Sequence, residues 1–454
     1  MQVIEQQNKE KKLKIYKIFY DDEVISKCTE YEIIFSEKDP YPYYNRLANY
    51  TANDSSTNYI SKVVKSVEKY FNDNLDKIDG LFIKLDIEAI IISAVLTKLN
   101  EKNKKMNIKY PLYESVFLCN NKYYQRTKEI NPIKYSYIDI DNENVDLNNL
   151  LKFPFFLKAP ELLMSIHQYI ITDFKQLKQI IEQLKMNLPN YNVDTKYLNQ
   201  YYLNLDKYPL SIKNIMICEE FITNCFQLNW EGWADNQGNI YTYGFTDEIL
   251  ADQGIFSDFI MPSKFPYIIL EKVENICKEF LKNISFKNSF VNIELWINKI
   301  NNNIIHIIEV NPRSAFSYDN QYKTSFYGAN LYDSIIKLSM GYKNIGIIPN
   351  INENFTGSYS CQSVFATRFN GKICELLNLE KIQEEKNLNK NYEFFFLFND
   401  FNFEIIDNYQ NGGRVLMRVF FTKKTYDEAL NESIRLKKLF LIKDTYYINQ
   451  NLND

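Results

Sequence analysis

Histidine, glycine and proline are scarce in this sequence: two, twelve and twelve among 454 residues. Each shortage removes a class of explanation. With two histidines there is no Ser/His/Asp or Cys/His constellation for nucleophilic catalysis. The seven cysteines (Cys28, Cys119, Cys218, Cys225, Cys277, Cys361 and Cys374) are odd in number and form no CxxC pair. A disulfide framework or a zinc site is therefore not expected, and a reducing cytosol fits best. No apolar run approaches the length of a membrane span, and the opening "MQVIEQQNKEKKLKIYKIFY" has charges where a signal peptide needs its apolar core. The formal charge of -4 is spread without a basic stripe, so neither nucleic acid nor an anionic membrane is favoured as a partner.

What is present describes an ordinary globular chain. Hydrophobic residues make up 45% of it, and the length predicts roughly two to four domains rather than one core. The abundance of Asn, Lys, Ile and Tyr has the look of coding bias and carries no functional weight. Strands and helices alternate without a repeat, which predicts an α/β and α+β multidomain enzyme. A first block, 1–112, contains a strand in "DGLFIKLDI" and a helix in "EAIIISAVLTKLNEK", half of a βαβ unit. A middle block, 113–345, holds strands in "FPFFLKAP", "NIMICEEFI", "NIYTYGFT", "FVNIELWIN" and "NIIHIIEV", with helices over "TDFKQLKQIIEQLK" and "PYIILEKVENICKEFLKN". The third, 346–454, offers strands in "SYSCQSVFATRFNGKI" and "GGRVLMRVFF" and the helix "TYDEALNESIRLKKLF", read as a small α+β lobe.

The last two strands of the middle block carry the strongest chemical signal. Alternation groups Asn292, Glu294 and Trp296 on one face, and it predicts Ile305, Ile307, Glu309 and Asn311 together with His306, Ile308 and Val310 opposite. A hairpin turning at Asn301 and Asn302 would set Glu294 directly across from Glu309. Opposed like charges destabilise a sheet, so the pair calls for a cation. Mg²⁺ or Mn²⁺, which take oxygen ligands and leave positions open for phosphate, suit a Glu, Glu, Asn set. The plain alternative is a solvated sheet face.

The stretch "NIELWINKINNNIIHIIEVNPR" closely resembles the metal-binding signature of the ATP-grasp superfamily, and the resemblance extends over about residues 80 to 440. It looks closest to the carboxylate-amine ligase branch, with a C-terminal lobe like that of biotin carboxylase. The implied fold is an ATP-grasp domain between an N-terminal Rossmann-like pre-ATP-grasp domain and that lobe, with a nucleotide-binding subdomain at about 150–220. The implied metal ligands are Glu294, Glu309 and Asn311, and Arg313 is placed toward the acyl phosphate or the reacting carboxylate. The segments "NNKYYQRTKE" and "FPFFLKAP" are similar to those bearing the phosphate-binding lysines, which makes Lys122 and Lys158 nucleotide contacts. Without the resemblance, Lys158 reads as a strand-end lysine reaching for solvent. "ICEEFI" looks like the hinge strand that reads adenine, with Glu219 and Ile222 at the contact positions and Gln227 where a ribose-binding glutamate is usual.

A departure follows Lys158. "APELLMSIHQYIIT" has no glycine, whereas the family's loop there is glycine-rich; Ser165 and His167 within it read as ordinary residues or as phosphate contacts. Arg414 and Arg418, four apart on one strand, are expected on one face, where they would bind a substrate carboxylate or form ion pairs. The expectation is an ATP-dependent, ADP-forming ligase that uses ATP and Mg²⁺ or Mn²⁺ to join a small carboxylate, such as an amino acid, to an amine. It would be cytoplasmic, with small-molecule partners and room for a homodimer. The alternatives are a carboxylase or formate-using enzyme of purine or biotin type and a non-catalytic nucleotide-binding relative.

Overall fold

The computed structural model describes residues 12–37, 59–102, 106–141, 151–161, 168–191, 193–250, 256–301, 304–315, 330–347, 357–367, 369–397, 400–402, 404–405 and 414–442. Near the N-terminus, β1 (Lys14–Phe19) pairs in parallel with β2 (Glu32–Glu37) and with β3 (Gly80–Leu81). Parallel strands need crossovers, and helices Asp22–Lys27 and Tyr59–Asn74 lie in them. Helix Asp86–Glu101 follows β3 and is buried along most of its length. The strand expected in "DGLFIKLDI" is thus only two residues long, and its last two residues already belong to the helix.

A second, antiparallel sheet contains β4 (Tyr135–Asp139), β5 (Phe155–Lys158), β6 (Gln168–Ile171) and β7 (Ile215–Glu220) in the order β4-β7-β5-β6. Helix Phe174–Tyr191 packs Leu177, Ile181 and Leu184 against its apolar face. This sheet begins well before residue 150, because β4 supplies the partner for one side of β7.

The largest sheet has eight strands. Its first part comprises β8 (Cys225–Ala234), β9 (Ile240–Leu250), β10 (Phe256–Met261), β11 (Ser289–Asn298) and β12 (Ile305–Asn311). The turn between β8 and β9 is set by Asp235, whose side chain accepts from the amides of Gln237 and Asn239 while Gly238 takes φ +87°. Of the later strands, β13 (Tyr359–Thr367) pairs with β10, β14 (Gly371–Lys372) pairs apart with β16 (Glu404–Ile405), and β15 (Glu393–Phe396) and β17 (Arg414–Lys423) finish the large sheet. The order is β12-β11-β8-β9-β10-β13-β17-β15. The third sequence block therefore extends the central sheet, and helix Tyr426–Phe440 packs on it.

The central sheet has two chemically different faces. Val291, Ile293, Leu295 and Ile297 of β11 point into a core shared with Ile269, Val273, Cys277 and Phe280 of helix Tyr267–Asn283. Burying such side chains contributes about 1.5–3 kcal/mol each. The intervening residues Asn292, Glu294 and Trp296 take the other face. Glu294 pairs with Glu309, as the hairpin reading expects. Nearer the turn the register differs by one: Leu295, Trp296 and Ile297 oppose Ile307, His306 and Ile305. A bulge at Ile308 absorbs the offset. It also overturns the expected grouping, because Ile305, Ile307 and Val310 lie in the apolar core whereas Glu309 and Asn311 leave by the polar face.

Arg126 fastens that bulge. Its Nη1 donates to the Ile307 carbonyl at 2.8 Å and its Nη2 to the Ile308 carbonyl at 3.1 Å, while Nε donates to Glu219 Oε1 at 2.8 Å and Nη1 reaches Glu129 Oε1 at 2.5 Å. One buried guanidinium thus joins helix Lys122–Arg126, β12 and β7. Replacing it takes the cation from buried Glu129 and leaves Glu219 with Lys158 alone. Arg126→Met should lower unfolding free energy by about 3–5 kcal/mol in urea titration, and Arg126→Lys should recover less than half of the loss because an ammonium cannot span four acceptors.

Candidate active site

The polar face of the central sheet is built by strand alternation. Across β8, β11 and β12 it presents Gln227, Asn229 and Glu231, then Asn292, Glu294 and Trp296, then Glu309 and Asn311, and β9 adds Glu248 opposite Gln227. These carboxylates are close enough to disturb one another. Burial, with the charges of Glu248 and Glu309, pushes the Glu294 carboxyl well above its ordinary range. Burial also raises Glu248 to about 7, despite hydrogen bonds from Asn229 and Gln227. Burial raises Glu231 to about 7 as well, although Tyr243 donates its hydroxyl to Oε2 at 2.8 Å and Asn292 donates Nδ2 to Oε1 at 2.5 Å.

One cationic group meets this acidic face from outside the sheet, and a second pairs within the four-stranded sheet. Lys122, buried at the start of its helix, sets Nζ 3.2 Å from Glu309 Oε1. Lys158, at the end of β5, reaches Glu219 Oε2 at 2.5 Å. Glu219 therefore receives both Lys158 and Arg126; burial alone would raise it, but the two cations hold it at about 2. Burial lowers the Lys158 ammonium from its ordinary value, with Arg126 and Lys122 adding to that and Glu219 opposing it. Strand pairing of β7 ends at Glu220, and Phe221 to Asn224 run on outside any strand. Ile222 lies there, half-buried, while Phe221 packs on Phe156 and Phe156 approaches Trp296 across the gap between the two sheets. Gln227 donates to Glu294 Oε2 at 3.4 Å.

Arg313 leaves the end of β12 toward the N-terminal part of the chain. Its Nε and Nη2 donate to Asp86 Oδ2 at 2.9 and 2.8 Å. Asp86 Oδ1 and Ser314 Oγ, both buried beside it, have no hydrogen-bond partner in the structure. A guanidinium steadied from one side, next to unsatisfied polar atoms, is suited to a polar or anionic ligand.

The metal question can be put to these residues directly. Among the described residues no three His, Cys, Asp or Glu side chains form a metal-binding group on their own. Glu294, Glu309 and the amide of Asn311 are adjacent, however, and Lys122 Nζ already sits as a cation on Glu309. Two carboxylates and an amide oxygen fit a hard ion that takes its remaining ligands from phosphates and water.

Not every expected position joins the cluster. Ser165 and His167 lie outside the described residues, as does the segment 316–329. Arg414 and Arg418 oppose Thr367 and Val364, with a bulge in the pairing between them. The Arg414 side chain lies outside the described residues. Sequence reasoning passed over Arg126, Asp86, Glu231 and Glu248. A cue for Arg126 exists in its spacing of four from Lys122 on one helix, and one for Glu231 in its alternation with Gln227 and Asn229. Asp86 is distant in sequence from Arg313 and had none.

Residues 151–317 match the ATP-grasp domain family. The chain contains an ATP-grasp domain. No curated protein matches it in sequence. Solved structures do resemble it: an L-amino acid ligase from Bacillus licheniformis has a TM-score of 0.69 at 14% identity, covering 94% of this chain and 98% of that one. Phosphoribosylglycinamide synthetase from Anaerococcus prevotii gives 0.57 at 16% identity over 95% and 98% of the two chains. Biotin carboxylase from Campylobacter jejuni gives 0.56 at 14% identity over 95% and 86%. At such identities the ATP-grasp fold is what they share with this chain. Among the described residues, no helix is long and apolar enough to cross a membrane.

The raised carboxyl of Glu231 has a consequence for stability. A folded-state value near 7, against an ordinary value of 4.5, means that the folded protein binds the extra proton between those limits. Stability from this group is then greatest below about pH 4.5 and is lost as pH rises through 7, by roughly 3 kcal/mol. Glu231→Gln should flatten that decline in urea-denaturation free energies measured from pH 5 to 8.

Proposed function

We propose that this ATP-grasp protein is an ATP-dependent carboxylate-amine ligase, forming an amide or peptide bond through an acyl phosphate and releasing ADP and phosphate. The observation that carries the reading is the hairpin pairing of Glu294 with Glu309, with Asn311 beside them and Lys122 poised over Glu309. An acidic pair of this kind serves little purpose without a cation and a polyphosphate to share it. The amino acid ligase similarity favours an amino acid as the carboxylate substrate.

The roles follow from position. Lys122 and Lys158 would exchange their carboxylate partners for phosphate oxygens, absorbing charge on the transferring phosphoryl group. The backbone beyond Glu219, at Ile222, would meet the adenine edge, and Gln227 the ribose. Glu294, Glu309 and Asn311 would hold a Mg²⁺ or Mn²⁺ ion, whose charge would offset that of the phosphate oxygens. Arg313, steadied by Asp86, would hold the substrate carboxylate while one of its oxygens attacks the γ-phosphorus and ADP departs. The amine then attacks the acyl carbon, phosphate leaves and the nitrogen loses a proton. No side-chain nucleophile is required, which agrees with the scarcity of histidine. Seven free cysteines agree with action in a reducing compartment, which we take to be the cytoplasm.

Oxygen tracing tests the reading. With an ¹⁸O-carboxylate amino acid, a second amino acid as amine, ATP and Mg²⁺, the released phosphate should carry one ¹⁸O and the nucleotide product should be ADP. Label-free phosphate formed only with bicarbonate or formate would instead indicate a carboxylase or formate-using enzyme. AMP and pyrophosphate would exclude the proposal, and absence of turnover across all twenty amino acids would favour a non-catalytic relative. Lys158→Met should lower kcat by about 10²-fold or raise KM for ATP more than KM for the carboxylate; unchanged ATP kinetics would return Lys158 to a purely structural role.

A further inference from the structure

An asparagine side chain binds a hard cation only through its oxygen, and half a turn about its last torsion replaces that oxygen with a nitrogen that cannot ligate. A ligand asparagine therefore needs something to choose its orientation. In this site the choice is made by neighbouring strands. Asn311 donates Nδ2 to Asn292 Oδ1 at 2.9 Å and, more loosely, to Glu294 Oε1 at 3.5 Å. Its own oxygen is turned away from these acceptors.

Asn292 cannot easily reverse. Its Nδ2 faces two acceptors, Glu231 Oε1 at 2.5 Å and Asn229 Oδ1 at 3.2 Å. A reversed amide would lose both of these hydrogen bonds and set its oxygen against the Asn229 oxygen. Asn229 is oriented in turn by donating Nδ2 to Glu248 Oε2 at 2.7 Å. The three amides lie on β8, β11 and β12, the oxygens of Asn229 and Asn292 each accepting from the next amide, and all are nine-tenths or more buried. A fully connected buried network of this kind fixes one arrangement, whereas a broken one leaves several.

We propose that Asn292 is a positioning residue that, held by Glu231 and Asn229, sets the Asn311 amide with its oxygen toward the divalent cation. The inference rests on the reading of Glu294, Glu309 and Asn311 as cation ligands. It assigns Asn292 no contact with substrate or nucleotide. Its effect is on how often Asn311 offers the correct atom, so it is read in metal affinity rather than in turnover.

The test is Mn²⁺ binding in the presence of ADP, followed by the electron paramagnetic resonance of free Mn²⁺, with circular dichroism melts to establish folding. Asn292→Leu, close in shape but without donors or acceptor, should weaken Mn²⁺ binding roughly tenfold, the lower end of what support for a metal ligand is worth. In an Asn311→Asp background, where either oxygen of the carboxylate can ligate and there is no wrong orientation, the same substitution should cost less than twofold. If Asn292→Leu does not fold, Asn292→Thr, smaller and suited to a strand, should show the same pattern. Wild-type affinity in the single variant, or equal losses in both backgrounds, would overturn the proposal. Glu309→Ala separates the two levels. Its loss of Mn²⁺ binding alongside an unaffected Asn292 variant would remove the positioning role alone, whereas its retention of Mn²⁺ binding would remove the cation site itself.

Discussion

Two carboxylates face each other across a β-hairpin, and much of the surrounding structure is a response to that conflict. Glu294 and Glu309 are directly opposed, an arrangement that costs stability unless a positive charge or a proton relieves it. The protein uses both remedies. Lys122 lies against Glu309, and burial with neighbouring charge drives Glu294 toward its protonated form. Both are reversible, which is what the proposed exchange of Lys122 and the proton for a divalent ion would require.

The sheet makes this arrangement affordable by separating its faces. The same strands that present Asn292, Glu294, Glu309 and Asn311 on one side bury Ile293, Leu295, Ile307 and Val310 on the other against helix Tyr267–Asn283. The bulge at Ile308 lets the two patterns coexist, and Arg126 holds its carbonyls. Because Arg126 also binds Glu219, which binds Lys158, one guanidinium ties the backbone of the hairpin to the ion pairs of the four-stranded sheet.

Much of this was readable from residue order alone, and the limits have physical causes. The hairpin and the opposition of Glu294 with Glu309 follow from a short polar turn between two alternating strands. The bulge does not, because an extra residue leaves no mark in a run of isoleucines, and so Ile305 and Ile307 were expected on the wrong face. A second bulge, in β17 between Arg414 and Arg418, is equally unmarked in the sequence. Contacts between distant segments were likewise hidden: the pairing of Asp86 with Arg313 joins positions far apart in the chain, and no local pattern signals it. The three-asparagine row was half visible, since alternation places Asn292 beside Glu294, but only the register with β8 brings in Asn229 and Glu231.

The central claim is that Glu294 and Glu309 form an acidic pair made for a cation held with nucleotide. Thermal melting of wild-type protein and Glu294→Gln at pH 8, each with and without MgADP, addresses it most directly. Glutamine copies the protonated acid that burial favours, so the ligand-free variant should melt at or above the wild-type temperature, while the upward shift that MgADP gives the wild type should disappear. A ligand-free variant that melts well below the wild type yet keeps the full MgADP shift would contradict the claim.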